Sequence, residues 1–328
     1  VSGSHSLTSV MVNGVAAQLS GQQYRAEVAV TQAVNTITVV AHDELLGVRQ
    51  QQISVKRDIM PPEISDVYPA DGFWSSSKNI QISGKVFDET TSQVFVNGKI
   101  AAVTNNSFST DVFLVEGQNT INIRAVDSAS NETFYPPFVV KVDSSGPENF
   151  QVSSNVTGWT NDNRPILTFY AHDSGIGLSH FEVSVADHGF HQQVSPFQTP
   201  VIPDGEQAIL VRAVDLLGNA TTKTVVVKID TLPPSAPNNF RGIPGHNNVV
   251  LEWSEESEET VAYRVAKVDD EDVFLSVTLE DGLVDEETGM AFYSINLADS
   301  PLFGYENGND YVFQIEAVDR AGNLSDLR

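Results

Sequence analysis

The chain of 328 residues contains no cysteine. A disulfide framework, a thiolate-ligated zinc site and a thiol nucleophile are therefore excluded. Long apolar runs are missing as well: no stretch approaches the roughly 18 consecutive apolar residues of a membrane-spanning helix. Basic residues are scarce. Eighteen Lys and Arg stand against 43 Asp and Glu, a formal net charge of −25. Such a surface repels phosphate backbones and anionic headgroups, so the composition argues against nucleic acid and anionic lipid as partners. Also absent are a nucleophile elbow, a phosphate loop, a dinucleotide fingerprint and a paired metal motif. No residue is assigned as catalytic, as cofactor-binding or outright as a metal ligand.

What is present suits several small β-domains. The length fits two to four domains. A hydrophobic content of 41% supports ordinary cores, and 15 prolines and 22 glycines fit many short strands and turns. The negative charge is uneven: from Ser235 onward there are 20 acidic and 5 basic residues, a net of −15, against −10 for the rest. The acidic runs at 255–259, 269–272 and 285–287 read as solvated loops.

The sequence repeats itself. Val12-Asn13-Gly14 matches Val96-Asn97-Gly98, Asn35-Thr36-Ile37 matches Asn119-Thr120-Ile121, and Asp43 matches Asp127, each pair 84 positions apart. Further on, Asp215 follows Asp127 by 88 positions and Asp319 follows Asp215 by 104, so the units have the size of immunoglobulin domains. Each of these aspartates ends an alternating stretch: Ile37, Val39, Ala41; Ile121, Ile123, Ala125; Ile209, Val211, Ala213; Tyr311, Phe313, Ile315, Ala317. A period of two with one polar face predicts a strand packed on one side.

Four residues beyond each aspartate stand Gly47, Asn131, Asn219 and Asn323. These residue types tolerate positive φ, and an aspartate can accept the N–H two residues on. The phrase is therefore predicted to be a hairpin, with the left-handed residue at the fourth position. Boundaries follow from Asp58, Asp143 and Asp230, each placed shortly before proline, which stiffens a linker and cannot continue a sheet interior. The expected units are 1–60, 61–145, 146–234 and 235–328, joined into a semi-rigid array. The first is expected to lack its opening strands and the last its final strand. The chain then reads as part of a longer polypeptide, or as one whose missing strands a neighbouring molecule donates.

Unit four resembles a fibronectin type III domain. The resemblance is carried by "PPSAPNNFRG", "NVVLEWS" with Trp253, "AYRVAKV" with Tyr263 and "YVFQIEAVDRAGNLS" with Tyr311. Trp253 corresponds to that family's core tryptophan and Tyr311 to its late-strand tyrosine, while the acidic middle at 269–300 departs from its pattern. Units one and two resemble bacterial immunoglobulin-like repeats of the glucodextranase B type, through "ISG" and "VFVNGKIAAVTNNSFSTDVFLVEGQNTINIRAVD". Unit three resembles another bacterial immunoglobulin-like repeat, through "TNDNRPILTFYAHDSGIG" and "GEQAILVRAVDLLGNATTKTVVVKIDTLPP". The resemblance implies an all-β tandem of immunoglobulin-like and fibronectin type III-like sandwiches, of the kind found in stalks, adhesins and accessory parts of extracellular enzymes.

Several residues are candidates for chemistry. His172, His180, His188 and His191 cluster in sequence, but a metal site needs three converging rings, and a loop or surface placement is expected. Asp58, Asp143 and Asp230 before the prolines, with Asp162 in "TNDNRP", are candidates for calcium at the unit junctions. Trp74 and Trp159, near the starts of units two and three, are expected to plug the junction with the preceding unit, the other reading being a sugar-stacking platform. Asn105, Asn131, Asn155, Asn219 and Asn323 begin N-glycosylation sequons, which signal no modification by themselves.

The expected role is structural, in a bacterial extracellular or cell-surface setting and without a membrane span: a non-catalytic stalk or spacer whose partners are neighbouring domains of the same longer chain. Two other roles remain open. One is a self-assembling surface fibre or layer. The other is an accessory, carbohydrate-binding or spacer module of an extracellular carbohydrate-active enzyme.

Overall fold

The computed structural model describes residues 7–45, 47–186, 188–245, 249–254, 259–268, 270–278, 283–284, 291–295 and 310–328. Among them every regular element is a strand, and no helix is long and apolar enough to cross a membrane. The acidic runs at 255–259, 269–272 and 285–287 lie mostly outside the described residues.

The chain divides into two compact units, Val1–Val142 and Asp143–Arg328. The first begins with an antiparallel sheet in the order Val15–Ala16, Leu7–Val12, Val34–Asp43, Gly47–Lys56. Its tight turn is Asn13-Gly14, with φ of +48° and +81°, the geometry of a two-residue hairpin whose twist matches its flanking strands. Val10 and Ile37 are the buried apolar side chains among the described residues of this sheet.

An eight-stranded arrangement follows in the first unit. Its order is Glu63–Tyr68, Asn79–Phe87, Ser107–Phe113, Lys99–Thr104, Gln93–Val96, Gly117–Val126, Glu132–Val142, Phe73–Ser75. All neighbours are antiparallel except the last pair, where Trp74 lies opposite Lys141 in a parallel ladder. Buried side chains from both halves, among them Ile82, Phe108, Val94, Ile121, Ala125 and Val140, form one core. Gly84 sits opposite Phe108, and a Cβ there would come within 2.6 Å of the Phe108 ring. The ring occupies the place where a side chain would stand, so glycine is needed for the close approach.

The 84-residue repeat is a repeat of hydrogen bonds. Asn13 Oδ1 accepts the Thr38 N–H at 2.7 Å, and Asn97 Oδ1 accepts the Asn122 N–H at 2.8 Å. Asn35 Oδ1 accepts the Thr31 N–H at 3.1 Å, and Asn119 Oδ1 accepts the Val115 N–H at 2.9 Å. Asn97-Gly98 repeats the turn of Asn13-Gly14, at +47° and +81°.

The second compact unit holds two cores. The first lies between a three-stranded sheet (Glu148–Ser154, Ile166–His172, Phe197–Gln198) and a five-stranded one (Trp159–Thr160, Ala220–Ile229, Gly205–Asp215, Leu178–Val185, His191–Gln193). Leu167, Ile209, Val211, Ala213 and Ile229 fill it. The predicted alternation holds, since the intervening Leu210 and Arg212 face the other way and are only part-buried. The second core is built on Trp253, which is fully buried and packs edge-on against Tyr263 at 5.1 Å between ring centroids. Leu251, Val265, Ile315 and Ala317 complete it. Tyr311, likened to a late-strand tyrosine, is part-buried, and the Lys267 ammonium stands 4.9 Å from its ring centre. The final residues run back along Phe313–Asp319: Ser325 N–H donates to the Ala317 carbonyl, and Arg328 and Ile315 exchange backbone bonds at 2.9 and 3.0 Å.

Candidate metal centre

The repeated aspartate does end a strand and open a hairpin. Asp127, Asp215 and Asp319 close the strands Gly117–Val126, Gly205–Asp215 and Phe313–Asp319. Asp215 Oδ1 accepts the Leu217 N–H at 2.8 Å and Asp319 Oδ1 the Ala321 N–H at 2.8 Å, as a turn-nucleating aspartate should. Asp43 does the same for Leu45 at 2.8 Å.

The left-handed residue is not where the sequence pattern puts it. In the later three copies it is the third residue past the aspartate: Ser130, Gly218 and Gly322, with φ of +72°, +89° and +86°. Only Gly47 carries positive φ at the fourth position. The fourth-position asparagines have another task. Asn131, Asn219 and Asn323 each donate the backbone N–H to Oδ1 of the aspartate, at 2.8, 2.8 and 2.9 Å. Each also donates a side-chain N–H to Oδ2, at 2.7, 2.7 and 2.8 Å.

The same amide reaches the chain that leads into its own sandwich. Asn219 Nδ2 donates to the Asp143 carbonyl at 2.9 Å, and Asn323 Nδ2 to the Asp230 carbonyl at 2.8 Å. Asn131 Nδ2 lies 3.4 Å from both the Asp58 and Met60 carbonyls. The Asp-x-x-x-Asn phrase therefore clamps each proline-bearing entry segment to the hairpin beneath it. Burial acts to raise the pKa of the Asp127 carboxyl, but the Asn131 amide and the Asn131, Ala129 and Ser130 N–H groups outweigh it and hold the carboxyl below its usual value. These same asparagines head three of the sequons, and their amides are occupied in the fold.

The clamp gathers further carboxylates. Asp58, Asp88 and Asp127 each bring an oxygen within 4.8 Å of the others, and Asp143, Asp173 and Asp215 do the same. The two clusters are copies: one member from the entry segment, one just past the strand that ends at Phe87 or His172, and one from the hairpin. Asp88 Oδ1 accepts the Thr90 N–H and hydroxyl, both at 2.7 Å. Asp173 Oδ1 accepts the Gly175 and Gly177 N–H groups at 3.1 and 2.7 Å. Asp143 is 2% exposed, and its Oδ2 accepts the Ile176 N–H at 2.8 Å. Gly175 makes that approach possible, because any Cβ there would collide with the Asp143 carboxylate.

Of the calcium candidates, then, Asp58 and Asp143 join clusters. Asp162 joins neither; its Oδ1 accepts the Arg164 N–H at 2.9 Å in a local turn. Asp230 carries the Asn323 clamp on its carbonyl and joins no carboxylate cluster among the described residues. Asp88 and Asp173 were not picked out by sequence reasoning. The signal that could have found them is a shared offset: Asp88 and Asp173 are 85 positions apart, as are Asp58 and Asp143.

The histidines do not converge. Among the described residues none joins a group able to hold a metal. His172 lies 3.9 Å from Glu148, His180 bonds Ser179 and Glu182, and His188 bonds the Ala186 carbonyl. Glu182 is also gripped by Arg212, whose Nε donates at 2.7 Å and whose guanidinium lies over the Phe190 ring at 4.2 Å. That guanidinium, with His180, holds the Glu182 carboxyl below its ordinary value against the opposing effect of burial.

Trp74 and Trp159 occupy equivalent short strands, each opposite a lysine in a parallel ladder. Lys141 stands 5.1 Å from the Trp74 ring centre, and Lys228 stands 5.8 Å from that of Trp159. Arg320 also covers Trp159, at 3.8 Å. Trp159 thus touches Arg320 of the sandwich that follows it.

Residues 62–143 match the family described as glucodextranase, domain B. A stretch of 81 residues is 36% identical to bacillopeptidase F of Bacillus subtilis (strain 168), covering 25% of this chain and 6% of that protein. Among solved structures, the fibronectin(III)-like modules of Clostridium thermocellum CbhA are 19% identical, over 52% of this chain and 94% of theirs, with a TM-score of 0.28. A 1.5-MDa bacterial ice-binding adhesin is 14% identical, over 82% of this chain and 96% of that one, with a TM-score of 0.35. At such scores these two likenesses carry no argument about role. The chain is all-β, with separate sandwich cores along it, and the family match covers one of them, residues 62–143.

Proposed function

We propose that this chain is a non-catalytic spacer of a larger bacterial extracellular or cell-surface protein: four sandwiches, 1–60, 61–145, 146–234 and 235–328, forming a semi-rigid stalk. The observation that carries this reading is the clamp. The asparagine of each of three hairpins bonds the backbone of the proline-bearing segment that enters its own sandwich. A linker tied down in this way cannot swivel freely, and a stalk needs that property more than it needs any cleft. The partners are the neighbouring domains of the longer chain.

Small-angle X-ray scattering on the full chain tests the proposal. A strand rises about 3.3 Å per residue, so four sandwiches of roughly 30–40 Å placed end to end give a maximum dimension of roughly 120 Å or more. Asn131→Ala with Asn219→Ala and Asn323→Ala should broaden the distribution of dimensions. A compact particle, or one indifferent to the three substitutions, would remove the stalk reading.

A second reading is favoured by the family match. Glucodextranase and bacillopeptidase F are named as enzymes, and the segment 62–143 matches a domain of the first. These sandwiches would then space or support a catalytic domain elsewhere in the polypeptide. Purifying the native protein and finding hydrolytic activity on the same polypeptide, outside these residues, would favour it.

A further inference from the structure

We propose that Asp58, Asp88 and Asp127 hold one calcium ion, and that Asp143, Asp173 and Asp215 hold a second. Ionised carboxylates only accept hydrogen bonds. Three of them face one another in each cluster, with oxygens within 4.8 Å. The donors that meet these carboxylates are neutral: Thr90 bonds Asp88 Oδ1, Met60 N–H bonds Asp58 Oδ1 at 3.1 Å, and Asn131 bonds both oxygens of Asp127.

One oxygen stands out. Asp58 Oδ2 is shut off from solvent and has no hydrogen-bond partner among the described residues. A carboxylate oxygen in that state is costly to bury unless a positive charge meets it. Lys56 lies near enough to feel Asp58, but it is bonded to Glu89 and largely exposed. The geometry instead leaves the place to a cation among the three carboxylates. In the second copy the entry aspartate, Asp143, is 2% exposed, and glycine at 175 keeps space against its carboxylate.

The chemistry of the donors selects the ion. All are hard oxygen ligands, without histidine or sulfur, which suits calcium or magnesium rather than zinc or copper. Coordination habit then separates these two. Magnesium gives up its water reluctantly and usually takes only one or two carboxylates, whereas calcium accepts a cage of several protein oxygens. Three facing carboxylates suit the second habit. Each ion would tie an entry segment to the hairpin and to the strand end of the sandwich it enters, reinforcing the asparagine clamp. The sites stand on the carboxylate geometry and the unpartnered Asp58 oxygen, whatever the role of the stalk.

The test is isothermal titration of the full chain, freed of metal by chelator, with calcium chloride and separately with magnesium chloride, alongside thermal unfolding in each. Asp88→Asn and Asp173→Asn keep an acceptor oxygen for their turn N–H groups and remove one charge from one cluster each. The expected result is calcium binding that loses one equivalent in each single variant and two in the double variant. An upward shift of the unfolding temperature with calcium should shrink in parallel, while the metal-free variants unfold no lower than the metal-free parent. Absence of calcium binding by the parent chain overturns the proposal. Binding unchanged by both substitutions also overturns it, since the ions would then sit elsewhere. Equal response to magnesium overturns the choice of ion.

Discussion

Asn219 and Asp143 are 76 residues apart, and the side-chain amide of the first donates to the backbone carbonyl of the second at 2.9 Å. The other amide proton goes to Asp215 Oδ2 at 2.7 Å. One side chain thus satisfies the carboxylate of its own turn and anchors the chain where it enters the sandwich. The arrangement recurs at Asn323, which is 8% exposed and bonds Asp319 and Asp230.

Asn219→Ala should destabilise its sandwich by about 1–3 kcal/mol, because it leaves buried acceptors of Asp215 and Asp143 without their donor. Denaturant unfolding measures the loss, and limited proteolysis should show new cleavage around residues 143–147. An unchanged midpoint and cleavage pattern would show that the clamp is dispensable.

Gly84→Ala should cost about 1–3 kcal/mol by overpacking. The added methyl meets the Phe108 ring at 2.6 Å, and that ring is buried in the core. Restoring room with the double change Gly84→Ala and Phe108→Leu should recover part of the loss, which a chemical-denaturation cycle would reveal.

Trp253→Ala should cost about 3–5 kcal/mol, the usual range for emptying a large buried aromatic site. Trp253 is fully buried against Tyr263 and Phe240. The unfolding transition of the C-terminal sandwich should fall while that of the Ile82 core stays in place, and calorimetry would resolve the two.

Stability should fall on acidification through the carboxylates held below their ordinary values. Glu182 in the fold titrates below its ordinary 4.5. Its contribution is therefore complete above the unfolded value and is lost as pH drops through the lower folded value. Asp127 acts in the same direction. Glu182→Gln should lower stability most above the ordinary value of 4.5, where the bond to Arg212 counts in full, and should flatten the acid limb so that the two proteins converge at low pH. Denaturant midpoints measured from pH 7 down to pH 2 would check the slope.

Much of the fold was legible because its determinants are local. Alternation of apolar and polar residues marks a half-buried strand wherever it occurs, and Ile121, Ile123 and Ala125 are buried as their period of two requires. The hairpin phrase was legible for the same reason, since an aspartate and the N–H two residues on need only a short piece of chain. The 84-residue offset pairs Asn13-Gly14 with Asn97-Gly98, and in the fold the two make the same turn.

The position of positive φ and the work of the asparagine were misread, for a physical reason. Asparagine tolerates a left-handed backbone, but Ser130, Gly218 and Gly322 take that conformation first, which frees Asn131, Asn219 and Asn323 to point their amides at a distant carbonyl. The partner carbonyl lies some 70–90 positions upstream and becomes adjacent only once the strands have paired.

By itself, then, the sequence determined the strands, the repeat and the hairpins, because each is written in residues that touch along the chain. Only the tertiary structure decided that Asp88 and Asp173 complete the carboxylate clusters and that Trp159 lies under Arg320. Those meetings depend on sheet register and on how a sandwich closes, and these are properties of paired strands rather than of any one stretch of chain.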